Sequence, residues 1–299
     1  MKAIGIILAG GNNNRMKELT AKRAVPALPV AGSFRAIDFS LSSMSNSHIQ
    51  TVAILTQYNA RSLNEHLSSS KWWNFGRKQG GLFLFTPTVT ADNSDWYRGT
   101  ADAMYQNIDF LKRRHEPYVI ISSGDCVYKL DFNRVLDFHI EKKSDITVVC
   151  KDMMYNDDVS RFGVVRMDEE SRITEFDEKP IEASSNTIST GIYVIRRRQL
   201  IELLEAAAEE NRFDFVNDIL VRYKNVKKIY GYKINSYWNN IADIDAYFKT
   251  NMDFLRPDVR SYFFREEPTI CSKVDDLPPA KFNPGSDTVS YTHLTLPTN

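Results

Sequence analysis

Four short runs of apolar and β-branched residues, at positions 3–8, 51–55, 118–121 and 146–150, recur along the first half of the chain. They lack the in-out alternation of a half-exposed strand, so they read as strands buried on both faces, as in a parallel sheet. Between them, residues 37–45, 58–67, 101–112 and 132–141 carry apolar side chains at helical spacing. A β-α-β alternation of this kind predicts an α/β fold around a doubly wound, mixed and mainly parallel sheet of the Rossmann-like kind. From residue 162 the pattern turns to short strands at 163–167, 173–176 and 188–195, then a helix over 199–208. A helix over 215–223, a strand over 228–232 and a helix over 244–254 complete the regular part. Pro257 and the Pro278-Pro279 pair break regularity, so the expected division is a domain over 1–255, a linker over 256–285 and a tail over 286–299. That tail is rich in Thr and Ser, shows neither period and reads as non-native sequence.

Lys plus Arg and Asp plus Glu both number 38 in the 299 residues. With no global basic field, neither nucleic acid nor an anionic membrane is an expected partner. Cys126, Cys150 and Cys271 are too few and too scattered for a disulfide framework or a Cys-x-x-Cys metal site. A reducing cytoplasm is the expected setting. The opening apolar run ends at Gly10-Gly11, too short to span a bilayer, and reads as a first strand.

Chemistry is expected where strands end. Residues 3–8 run into Gly10-Gly11-Asn12-Asn13-Asn14-Arg15, at the carboxyl edge where open α/β sheets bind ligands. The glycines allow close approach of backbone amides to phosphate, and Arg15 offers a bidentate fork. The same pieces also make an ordinary loop. Downstream, Lys22, Arg23, Arg35 and several prolines form a stiff basic stretch suited to pyrophosphate, with Asp38 read as a helix cap. Asp125 follows the buried run 118–121 at its carboxyl end, a place for a metal-binding carboxylate. Trp72, Trp73 and Trp238 read as packing groups.

Taken in order, these segments resemble one family. The glycine loop with Arg15, Lys22-Arg23-Ala24-x-Pro26-Ala27, Phe34-Arg35-x-Ile37-Asp38-Phe39 and Thr56-Gln57-Tyr58 are similar to the bacterial ADP-glucose pyrophosphorylases, the glucose-1-phosphate adenylyltransferases. So are Trp96-Tyr97-Arg98-Gly99-Thr100-Ala101-Asp102, Gly124-Asp125, Phe162-Gly163-Val164, Glu178-Lys179-Pro180, Gly191-Ile192-Tyr193, Asp214-Phe215 and Tyr237-Trp238. Pro278-Pro279-Ala280-Lys281-Phe282 resembles that family's connector to a carboxyl-terminal left-handed β-helix, which is missing here, so the chain reads as truncated. The resemblance implies a reaction in which glucose 1-phosphate attacks the α-phosphorus of ATP, giving ADP-glucose and pyrophosphate for glycogen synthesis. It implies catalytic roles for Arg15, Asp125 and Lys179, and nucleotide contacts from Gly10, Gly11, Gln57, Gly99 and Thr100. The sugar phosphate would meet Tyr97, Gly163, Glu178, Lys179, Ser189 and Asp214, and Mg²⁺ would sit on Asp125.

Departures from that pattern fall where charge matters. Val25 stands where the catalytic family has a lysine, and Asn240 where it has a second metal-binding aspartate. Asn13 replaces a glycine and Cys126 a histidine. Losing one aimed electrostatic group costs about 3 kcal/mol of transition-state stabilisation, so two such losses imply a rate lower by a factor of roughly 10³ or more. The pattern resembles the regulatory, catalytically weak GlgD-type subunit, which works with a catalytic subunit in a hetero-oligomer, expected to be a tetramer. The alternatives are a self-sufficient adenylyltransferase, or a pyrophosphorylase for another nucleotide or sugar. A nicotinamide-dependent oxidoreductase is disfavoured by the glycine spacing.

Overall fold

A computed structural model of the chain describes residues 2–11, 14–76, 80–88, 96–154 and 158–274. Asn13, the 278–282 segment and the 286–299 tail lie outside the described residues. The elements begin with β1 (Ala3–Ala9), β2 (Pro29–Val30), β3 (Phe34–Arg35), α1 (Ala36–Asn46), β4 (Thr51–Thr56), α2 (Arg61–His66) and β5 (Gly81–Phe85). They continue with α3 (Thr100–Gln106), α4 (Ile108–Lys112), β6 (Tyr118–Ser123), β7 (Cys126–Tyr128), α5 (Phe132–Glu141), β8 (Ile146–Asp152), β9 (Gly163–Met167) and β10 (Ile173–Glu178). The last are β11 (Thr187–Arg196), α6 (Arg197–Glu209), a π-helical turn (Val216–Val221), β12 (Ile229–Lys233), β13 (Trp238–Asn240), α7 (Ile244–Asp253) and α8 (Pro257–Phe264).

β5, β4, β1 and β6 lie side by side and parallel, with β1 between β4 and β6 in unbroken register, Ile7 opposite both Ile54 and Ser122. β11 then runs antiparallel to β6 and branches the sheet, pairing β8 along one side and meeting β9 on the other. The side chains of β1 show why it is apolar throughout. Ala3, Ile7 and Ala9 pack with α1, α2 and α5 on one face, while Ile4 and Ile6 pack with α3, α4 and α6 on the other. This is the doubly wound α/β arrangement that the periodicity predicts.

Four local differences from the sequence reading have physical causes. The helix expected over 101–112 breaks at Asn107, whose amide donates to the Ala103 carbonyl and the Tyr97 hydroxyl. The helix expected from 58 starts only at Arg61, because Asn59 takes a left-handed conformation (φ 48°). The outer strand β5 and the β7–β13 ribbon were not expected; the ribbon has only three residues a side, which give little period to read. Finally, Pro257 opens α8 instead of ending regularity, since a proline at the first helical position lacks only an N–H that would have no partner anyway. Phe263 of α8 is fully buried, edge-on to Phe39 and against Phe254. Beyond it, the Cys271 carbonyl accepts from Trp73 and Ser42. The described part of the expected linker is therefore folded onto the domain.

Candidate active site

Two cavities open at the carboxyl ends of the parallel strands. The first, of about 510 Å³, is walled by the end of β1 with Gly10 and Gly11, by Gln57 and Tyr58 after β4, and by residues 97–100 leading into α3. Its far wall is set by Gly99, where a Cβ would stand 2.3 Å from the Phe213 carbonyl oxygen. That carbonyl accepts from Ala101 and Asp102 amides, so the segment is pinned. Buried Asp102 accepts from the Arg98 amide (2.8 Å) and pairs with its guanidinium (3.1 Å). Arg98 also lies 3.8 Å over the Phe213 ring. Gln57 lines the cavity as expected, but its amide brackets the Tyr97 backbone, accepting from the N–H at 2.8 Å and donating to the carbonyl at 3.4 Å. Tyr97, expected on the sugar side, lines this first cavity instead, its hydroxyl accepting from Asn107.

The second cavity, of about 380 Å³, gathers Gly163, Glu178, Lys179 and Ser189, which the sequence reading grouped, together with Arg15. Gly163 has no room for a side chain: a Cβ would meet a Glu178 carboxylate oxygen and the Phe176 ring, both at 2.9 Å. Lys179 takes a left-handed conformation (φ 51°), and its ammonium lies 3.0 Å from Glu178. β11 bulges between Ser189 and Tyr193, with Gly191 at φ 75°, and the bulge brings the Ser189 hydroxyl within 3.3 Å of the Tyr193 hydroxyl. Asp214 does not line either cavity. Its carboxylate accepts from the Asn217 amide, capping the π-helical turn, and from Thr100 at 3.5 Å. Trp238, read as a packing group, is 4% exposed and edge-on to Phe162, yet it lines this cavity and its indole N–H has no protein acceptor.

Asp125 stands where the cavities meet, and with Ser123 it lines both. The Ser123 hydroxyl donates to its carboxylate at 2.5 Å, and its carbonyl accepts from Ile241 at 2.9 Å. The β7–β13 ribbon sets Asn240 opposite Cys126, beside Asp125. Asn240 is tied in place, its side-chain oxygen accepting from the Ala242 amide (3.0 Å) and its amide nitrogen donating to the Cys126 sulfur (3.4 Å). Burial pushes the Cys126 thiol up, with the Asp125 charge adding to the effect. Among the described residues, no group of three His, Cys, Asp or Glu side chains converges. These residues fit a Mg²⁺ held by one carboxylate and by phosphate oxygens, as this ion is often held, and not a clamp of two carboxylates. Val25, 4% exposed, lines the first cavity with an apolar side chain.

The sequence reading missed Arg98, Arg161 and Tyr193 as cavity residues. Tyr193 lies two positions past Gly191 in a segment the resemblance had already marked, but Arg161 carries no signal of spacing. The Asp38 carboxylate accepts from the Arg35 amide in a capping box, as expected, and also pairs with His66 at 2.7 Å.

The Nucleotidyl transferase family model matches residues 4–256. The chain is 41% identical over 255 residues to the glucose-1-phosphate adenylyltransferase of Clostridium acetobutylicum, covering 84% of this chain and 67% of that protein. It is 38% identical over 279 residues to that of Lachnospira eligens (92% and 65%). The match to that of Pseudothermotoga lettingae is 37% over 292 residues (97% and 69%). The chain thus spans about two thirds of the length of these curated relatives.

Proposed function

The chain belongs to the nucleotidyl transferase family and, within it, to the glucose-1-phosphate adenylyltransferases, and from that premise we propose that it is the regulatory, catalytically weak kind of subunit. The first cavity takes ATP and the second glucose 1-phosphate, and the two reacting phosphates meet over Asp125. Gly10 and Gly11 bring backbone amides to the nucleotide phosphates. Arg15 and Lys179 draw the sugar phosphate into line with the α-phosphorus, so that its oxygen attacks as pyrophosphate leaves. No protein nucleophile takes part, and rate comes from positioning and charge neutralisation. Mg²⁺, when bound with ATP, supplies further neutralisation of the phosphates, and Asp125 holds it.

The observation that carries the weak-subunit reading is the state of Asn240. Its one neutral oxygen accepts from Ala242 and its nitrogen faces Cys126, so it offers no negative charge beside Asp125. Val25 likewise gives the ATP cavity an apolar wall where a lysine is expected. In this reading the chain binds the reaction's ligands in the cytoplasm and acts within a hetero-oligomer, a tetramer, beside a catalytic subunit.

Calorimetric titration with ADP-glucose tests the ligand assignment. Binding of ADP-glucose, with none of a reduced nicotinamide dinucleotide, is the expected result. The reverse pattern would overturn the assignment.

A further inference from the structure

The second cavity carries more positive charge than Arg15 and Lys179 supply. Arg161, just before β9, also lines it. Its guanidinium lies 4.9 Å from the Phe162 ring and pairs with Asp243, and the two side chains are 27% and 24% exposed. Asp243 is itself fixed, because its other oxygen caps α7 by accepting from the Ala246 amide at 2.7 Å. Arg161 is thus aimed by a stacked ring on one side and an anchored carboxylate on the other.

Arg15 comes to the same cavity from the loop after β1. Asp158 senses both arginines: its carboxyl is held below the ordinary value chiefly by hydrogen bonds to Ser160, with Arg161 and Arg15 adding their charge. Two guanidinium groups therefore reach one cavity from separate loops. A phosphate monoester bound in that cavity would be attracted by both. A guanidinium has five N–H donors in a planar fork, so one carboxylate does not exhaust it. Lys179 is mostly exposed and paired with Glu178, whereas Arg161 is mostly buried and held on two sides, which makes Arg161 the firmer anion contact.

We propose that Arg161 is a binding residue for the phosphate of the sugar phosphate, with Asp243 holding it in position and competing for it. This rests on the reading of the second cavity as the glucose 1-phosphate site. Arg161 makes that cavity select phosphorylated over neutral sugars, and Asp243 sets how tightly it does so.

The test is titration of the full chain with glucose 1-phosphate by calorimetry and with unphosphorylated glucose by saturation-transfer NMR. The variants are Arg161→Ala, Arg161→Lys and Asp243→Asn, each checked for an unchanged melting temperature. Arg161→Ala is expected to weaken glucose 1-phosphate roughly ten- to a hundredfold, the worth of a lost charge-assisted hydrogen bond, and to leave glucose unchanged. Arg161→Lys recovers part of the loss. Asp243→Asn keeps an oxygen for the α7 cap, removes the competing charge and tightens glucose 1-phosphate several-fold. Binding of glucose 1-phosphate by Arg161→Ala as tight as by the unaltered chain would overturn the inference alone. No binding of glucose 1-phosphate by the unaltered chain would overturn both the inference and the site reading beneath it.

Discussion

At the scale of single residues, the proposed role turns on the difference between a carboxylate and its amide. Asp125 presents charge to both cavities, while Asn240, its neighbour across the ribbon, has both polar atoms committed to Ala242 and Cys126. His139 shows the opposite economy of charge. It is 1% exposed with Nδ1 2.9 Å from Thr147, and burial, with Arg196 adding, lowers its pKa to about 4. Between pH 6.5 and 4 the unfolded chain therefore binds the extra proton and the folded one does not, so stability falls as pH falls through that window. The loss reaches about 2 kcal/mol by pH 5 from this group. Urea denaturation at pH 7 and pH 5 checks it, and His139→Gln should flatten the difference. Such residues were unevenly legible. The place of Asp125 at the rim of both cavities was legible because it follows a buried strand at its carboxyl end. Tyr97, expected at the sugar phosphate, lines the first cavity, and Asp214 lines neither, because sequence order does not say which way a side chain turns.

At the scale of elements, what was legible is what repeats. β1, β4, β6 and β8 were found nearly to their bounds because each fills several pleats with apolar side chains on both faces. The β7–β13 ribbon is only three residues a side, yet it is what sets Asn240 next to Asp125. α8 was missed because its proline was read as a stop. Its burial argues that it belongs to the folded core: Phe263 packs among Phe39, Tyr237 and Phe254. Phe263→Ala should then cost about 3 to 5 kcal/mol, as deletion of a fully buried ring does. A denaturation midpoint close to that of the unaltered chain would mean that α8 is an appendage after all.

At the scale of the whole molecule, a doubly wound sheet with its ligand edge at the strands' carboxyl ends gives two cavities sharing one carboxylate. The fold and the family could be read from periodicity and from motifs in order. The proposed weak-subunit role was also read from the sequence, from Val25 and Asn240 standing where charged residues are expected, and it awaits a rate measurement. The central claim is that these replacements make the chain slow by itself, and pyrophosphate release from ATP and glucose 1-phosphate with Mg²⁺ tests it most directly. The measurement compares the unaltered chain, the Val25→Lys plus Asn240→Asp double variant, and the unaltered chain mixed with a catalytic subunit. The account predicts negligible release by the chain alone, partial rescue by the double variant, and stimulation of the catalytic subunit. Rapid release by the chain alone, abolished by Asp125→Asn, would contradict it and mark a self-sufficient adenylyltransferase.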